Sequence, residues 1–119
     1  MGNFPFDEQL TNDGVNKIVV GPKEIEKGII YYGHWNPKTN ERHGFGMQIW
    51  ADGSKYVGYW KNDETNGRGR LIHHDGDVYV GEWKNNLAHG IGECTDAVGM
   101  VYRGSWVNDQ QEGRGKRKL

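Results

Sequence analysis

The sequence predicts an all-β chain: an elongated antiparallel ribbon of tandem β-hairpin repeats. Three observations carry that expectation. In YVGEWKNNLAHGIG, residues 79–92, Tyr79, Gly81 and Trp83 alternate, and Gly90 and Gly92 follow. Alternation puts the first three on one face of an extended strand. The frame then recurs. YVGYWKNDETNGRG at 56–69 and YRGSWVNDQQEGRG at 102–115 repeat it at a spacing of 23 residues, and YYGHWNPKTNERHGFG at 31–46 repeats it with two residues inserted between Trp35 and Gly44. Finally, no window sustains a 3.6-residue apolar period, and glycine recurs too often for a helix to persist.

Four units therefore start at Tyr31, Tyr56, Tyr79 and Tyr102. The segments between them, ADGSKY, HDGDVY and AVGMVY, hold Gly53, Gly76 and Gly99 in one register. Projected backward, the grid meets Gly21 and Gly28, so residues 21–30 read as the back half of a degenerate repeat. Seventeen of the 19 glycines lie on the grid. Glycine is thus a positional requirement of the fold here, and not a mark of disorder.

Each unit reads as two strands. The first carries Tyr-x-Gly-x-Trp. A polar stretch such as KNDETN turns the chain at the surface. The second strand opens with Gly-x-Gly, and Asp52-Gly53 or Asp75-Gly76 then turns the chain again, a strong hairpin signal. At strand spacing, two strands advance the stack by about 10 Å, so four units span roughly 40 Å. A missing side chain in mid-strand leaves room for a neighbouring ring, and successive Tyr and Trp residues can stack as a ladder.

The expected organisation is an N-terminal extension over 1–20, partly mobile or capping, a repeat domain over 21–115, and a basic tail over 116–119. KIVV at 17–20 is the capping candidate, with Phe4 and Phe6 docking beside it or on a partner. A net charge of −1 points to neither nucleic acid nor a membrane surface. The single cysteine, Cys94, allows no internal disulfide. No apolar run is long enough to span a bilayer, and MGNFPF lacks the form of a signal peptide. Phe6 stands where a myristoylation signal needs Ser or Thr. A cytoplasmic protein is the expectation.

Candidate sites are few. His43 and His89 share a repeat position two units apart, too distant for one ion, and a turn-stabilising hydrogen bond is the reading preferred for them. His73 and His74, as strand neighbours, would point to opposite faces. No metal site, cofactor or catalytic set is expected, and GRGRL and GRGKRK lack the spacing of a phosphate loop. The best candidate surface is the aromatic row: Tyr31, Trp35, Tyr56, Trp60, Tyr79, Trp83, Tyr102 and Trp106. These rings either only join neighbouring hairpins or also line a groove where a partner docks. In the tail, Arg114, Lys116, Arg117 and Lys118 form an anionic-partner candidate, weighed against a charged edge strand that resists aggregation.

The pattern resembles the MORN repeat (membrane occupation and recognition nexus), whose motif is Y-x-G-x-W, a turn, H-G-x-G and a later D-G. Tyr31, Gly33, Trp35, His43, Gly44, Gly46, Asp52 and Gly53 carry it in the first unit. Asn66 replaces the histidine in the second unit, the third loses the D-G aspartate, and the fourth has Glu112 at the histidine position. The likeness covers residues 21–115. It implies a hairpin ribbon used for protein–protein contacts and, by an older proposal, for phospholipid binding. Small all-MORN proteins of this kind are often cytoskeletal, several of them ciliary or flagellar. The expected function is a non-enzymatic scaffold in a cytoskeletal, ciliary or axonemal assembly. The alternative is a peripheral adaptor on acidic phospholipid. Neither reading includes nucleic acid or a transmembrane segment.

Overall fold

The structure, a computed structural model, describes residues 13–111 and the strand Lys116–Arg117. Ten strands follow in chain order: β1 (Ile18–Glu26), β2 (Ile29–Asn36), β3 (Glu41–Ile49), β4 (Lys55–Lys61), β5 (Glu64–Ile72), β6 (Val78–Lys84), β7 (Leu87–Thr95), β8 (Val101–Val107), β9 (Gln110–Gln111) and β10 (Lys116–Arg117). Each pairs antiparallel with the next from β1 to β8, in a single open sheet. β9 and β10 both pair with β8, at Trp106–Val107 and at Tyr102–Arg103. They occupy the two ends of the register that a single long strand takes in earlier units, where Glu93 faces Val80 as Lys116 faces Arg103. The longest dimension is 46 Å, consistent with nine strand positions at about 4.8 Å each. No described residue is helical.

The two kinds of turn differ. After Trp60, Trp83 and Trp106 the chain reverses over two residues, Asn62-Asp63, Asn85-Asn86 and Asn108-Asp109, all with φ between 47° and 72°. Positive φ at both positions suits the twist of the flanking strands, and Asn and Asp tolerate it best among non-glycine residues. The polar stretch after each Trp is therefore a two-residue turn followed at once by strand. In the first unit Pro37–Asn40 makes a four-residue turn, which absorbs the insertion. The Asp-Gly turn is longer. Trp50 N–H donates to Ser54 O at 2.9 Å and Gly53 N–H to Trp50 O at 3.0 Å, closing a three-residue loop. The same pair of bonds recurs at His73–Asp77 and at Asp96–Met100. In the third loop Val98 stands where Asp52 and Asp75 stand, but Asp96 accepts from the Val98 and Met100 amides and supplies the carboxylate from two residues upstream.

The boundary expected after residue 20 falls inside β1, whose residues 18–20 pair with Trp35, His34 and Gly33. Of the KIVV run, Val20 packs against the aromatic core with Ile25, whereas Ile18 and Val19 are exposed. The free edge of β1 is interrupted by Gly21-Pro22 and a register shift, which suits an edge strand. Phe4, Phe6, Arg114 and Lys118 lie outside the described residues, as do the side chains of Lys116 and Arg117.

Candidate functional site: the ring face and its groove

Tyr31, Trp35, Tyr56, Trp60, Tyr79, Trp83, Tyr102 and Trp106 all lie on one face, and none is more than 8% exposed. They are the core of the molecule. Three of the tryptophans meet two tyrosines edge to face: Trp60 lies 5.6 Å from Tyr31 and 5.2 Å from Tyr56, and Trp83 and Trp106 repeat this one and two units on, whereas Trp35 meets Tyr31 at a tilt. Indole nitrogens bind backward across the sheet, Trp60 Nε1–H to Gly46 O at 3.3 Å, Trp83 to Gly69 O at 3.1 Å and Trp106 to Gly92 O at 3.2 Å. Tyrosine hydroxyls donate three residues ahead, as Tyr56 does to Tyr59 O at 2.9 Å. The four tyrosine hydroxyls and the indoles of Trp60, Trp83 and Trp106 thus each meet a backbone acceptor, which offsets the cost of burying them. Burial pushes the Tyr79 hydroxyl up to about 12 and raises Tyr31 and Tyr56 as well.

The row is therefore not an exposed docking strip. Trp60, Trp83 and Trp106 each pack between the tyrosine of their own unit and that of the preceding one, which buries most of the ring area inside the ladder. The Gly-x-Gly pair explains how the rings fit. The first glycine, as at Gly67 (φ 91°), sits in the register shift between Gly58 and Trp60. The second, Gly69, lies directly beneath the Tyr56 ring, where a Cβ would overlap the hydroxyl end of that ring.

What remains open is a groove beside the ladder. Ile25, Ile29, Arg42, Gln48, Trp50 and Leu71 line one stretch of about 300 Å³, over Trp60 and Trp83. Leu71, Ala88, Cys94, Asp75, Asp77 and Asp109 line the next, of about 370 Å³, over Trp83 and Trp106. Leu71, Trp83 and Asn86 belong to both, so the two stretches are one groove.

Two ladders of hydrogen bonds hold its walls. On one side the second residue of each two-residue turn clips onto the preceding unit: Asp63 accepts the Arg42 amide at 3.0 Å, Asn86 the Thr65 amide at 2.8 Å and Asp109 the Ala88 amide at 2.6 Å. The amides of the same three residues donate to the Arg42, Thr65 and Ala88 carbonyls at 2.8–3.1 Å. On the other side His74 N–H donates to Ser54 Oγ at 3.0 Å and Ala97 N–H to Asp77 Oδ1 at 3.2 Å. Asp63, Asn86, Asp109, Ser54 and Asp77 were not among the sequence candidates, although their 23-residue register was legible.

Arg42 is the arginine of the groove lining. Its guanidinium stands 4.6 Å from the Trp60 ring centroid, donates to Asp63 Oδ1 at 2.8 Å and Asp63 O at 3.0 Å, and reaches Gln48 Oε1 at 2.5 Å. Burial works against ionisation of Asp63, but the Arg42 side chain and amide outweigh it and hold that carboxyl below the usual range. His43 accepts the Asn62 amide on Nδ1 at 3.0 Å, the turn bond expected of it, and its Nε2–H reaches the Asp13 carboxylate. His89 makes no such bond; its Nδ1 is buried without a hydrogen-bond partner. His73 and His74 do not point apart. Both lie beyond the end of β5, where strand alternation no longer applies, and their rings stand 4.3 Å from each other. Among the described residues no three metal-ligating side chains converge.

The opposite face carries Tyr32, Met47, Val57, Arg70, Val80, Glu93 and Arg103 in one cross-strand row, in that order. Arg68 and Arg70 of GRGRL are exposed there.

With this hairpin register in place, a comparison with protein-family models matches the MORN repeat at residues 38–55, 56–78, 79–101 and 102–119, four consecutive copies over well more than half the chain. The chain belongs to the MORN-repeat family. Three of the matched MORN spans begin at Tyr56, Tyr79 and Tyr102, where the ring ladder starts each unit. MORN repeats are binding repeats, with roles in contacts to proteins or membrane lipids. Curated proteins yielded no match. Among the described residues no helix is long and apolar enough to cross a membrane.

Proposed function

We propose that this MORN protein is a non-enzymatic scaffold that seats a segment of a partner protein in the groove of its ring face, as part of a larger cytoskeletal assembly. The groove itself carries this reading. It is continuous over three hairpins, floored by tryptophan rings, lined by apolar side chains with a few polar ones, and held by fixed turns on both sides. Preformed apolar channels with a few placed polar groups are the usual form of binding sites. A cilium or flagellum is the proposed setting, on the MORN likeness.

The carboxylates of Asp75, Asp77 and Asp109 along the groove weigh against acidic phospholipid there, because like charges repel at a desolvated contact. Capture from native cells tests the reading. Wild type and Leu71→Glu are compared, since Leu71 lies where the two stretches meet and is only partly buried. A defined set of structural proteins retained by wild type and lost from folded Leu71→Glu is the expected result. Salt-sensitive retention on acidic liposomes, with no protein retained, would replace it with the membrane reading.

A further inference from the structure

The groove contains one cell repeated three times. In the first, Tyr31, Gln48, Trp60 and Asp63 surround Arg42. One unit on, Tyr56, Leu71, Trp83 and Asn86 surround Thr65. Two units on, Tyr79, Cys94, Trp106 and Asp109 surround Ala88. The correspondence is exact in hydrogen bonding as well as in spacing, since the Arg42, Thr65 and Ala88 amides donate to Asp63, Asn86 and Asp109 in turn.

The first cell is filled by its own cation. Arg42 lies over Trp60 at 4.6 Å and is bonded to Asp63. The second cell has lost both charges together: threonine replaces the arginine and asparagine the aspartate. The third has lost only the cation. It keeps the indole of Trp106 and the carboxylate of Asp109, while Ala88, buried on the lining of the same stretch, supplies only a methyl where the first cell has an arginine, and Asp75 and Asp77 add negative charge across the groove. An aromatic face beside a carboxylate binds a guanidinium better than an ammonium, because the planar fork stacks and bonds at once.

We infer that the third cell is a seat for an arginine side chain of the partner protein, entering over Trp106 and bonding Asp109 as Arg42 does over Trp60 and Asp63. The inference rests on the groove reading above and names the chemistry of its occupant. The partner segment presents an arginine at one end and an apolar side chain beside it, which lies against Leu71 and Cys94.

Nuclear magnetic resonance on the full chain tests this with Nα-acetyl-arginine amide as the probe and its neutral isostere, Nα-acetyl-citrulline amide, as the control. The Trp106 indole N–H and the Ala88 amide are expected to shift saturably with the arginine probe, with a dissociation constant on the order of millimolar. Citrulline is expected to bind roughly tenfold more weakly. Asp109→Asn keeps the turn clip, since Asn86 makes the same bond naturally, and is expected to remove the preference for arginine. Ala88→Arg fills the seat from within and is expected to abolish probe binding. Equal shifts with both probes, or arginine binding that survives Ala88→Arg, would overturn the inference. Capture of the cellular partner separates the two readings. If Leu71→Glu loses the partner while Asp109→Asn and Ala88→Arg keep it, the groove stands and the arginine seat falls. If all three variants keep it, the groove reading falls.

Discussion

The Tyr56 ring lies across Gly69, and its hydroxyl passes over that glycine to donate to the Tyr59 carbonyl at 2.9 Å. The same arrangement joins Tyr31 to Gly46 and Tyr79 to Gly92. This contact ties the repeat motif to the fold. The tyrosine on one strand and the second glycine of Gly-x-Gly on the next are a single packing unit, 13 or 15 residues apart in the chain.

Gly69→Ala is therefore expected to destabilise the protein by about 3 kcal/mol, the upper end of the overpacking range, because neither the ring nor the paired Gly58 backbone can retreat. Gly53→Ala is the comparison. A Cβ there meets nothing within 4 Å, so only the left-handed backbone at φ 94° is strained, at a cost of about 1–2 kcal/mol. Urea denaturation of both variants checks the order.

Loss of the carboxylate in the third loop has a definite expected cost. Asp96→Ala removes the acceptor for two amides and is expected to cost about 1–2 kcal/mol. Val98→Asp added to it restores the arrangement of Asp52 and Asp75 and is expected to recover part of that loss. Thermal unfolding of the single and double variants measures it.

Alkali is expected to unfold the ladder cooperatively. Tyr79 has its pKa raised from about 10 to about 12 by burial, with Glu82 adding to it. A folded pKa above the unfolded one contributes stability that is complete below the unfolded value and is lost as pH rises through the folded value. Tyrosinate absorbance is therefore expected to rise in step with loss of circular dichroism, between about 10 and 12. A gradual rise that precedes unfolding would show the rings to be accessible.

At the acid end the sign is reversed. Asp63 has a depressed carboxyl pKa, so its contribution is present above the unfolded value of about 3.9 and is lost as pH falls through the folded value. Asp63→Asn is expected to flatten the stability profile below about pH 4 while leaving the turn intact, as Asn86 does in the next unit. Urea midpoints across that range compare the two proteins.

The strand order and the ring ladder were legible because the 23-residue grid fixes which residues share a face, and glycine at fixed offsets has few other uses. The site was less legible. Tyr and Trp at alternating positions look the same in a string whether they face solvent or each other, and only the indole-to-carbonyl bonds across hairpins show that they face each other. The groove residues hide for a different reason. Arg42 and Ala88 share one repeat position and Leu71 and Cys94 another, but they share no chemistry, and only the register shift in each hairpin pairs the Arg42 and Ala88 position with a tryptophan. His73 and His74 misled because the strand ends at Ile72, before either histidine. The burial of Trp60 and Trp83 also changes what their replacement reports. A Trp60→Ala plus Trp83→Ala variant measures folding before it measures binding.

The most direct test places a photo-reactive side chain at Leu71 in the groove or at Ile91, which is 63% exposed on the opposite face, and cross-links each variant in native cells. The groove account expects a discrete protein adduct from position 71 and none from position 91. A discrete adduct from position 91 alone would contradict it and move the partner to the other side of the sheet.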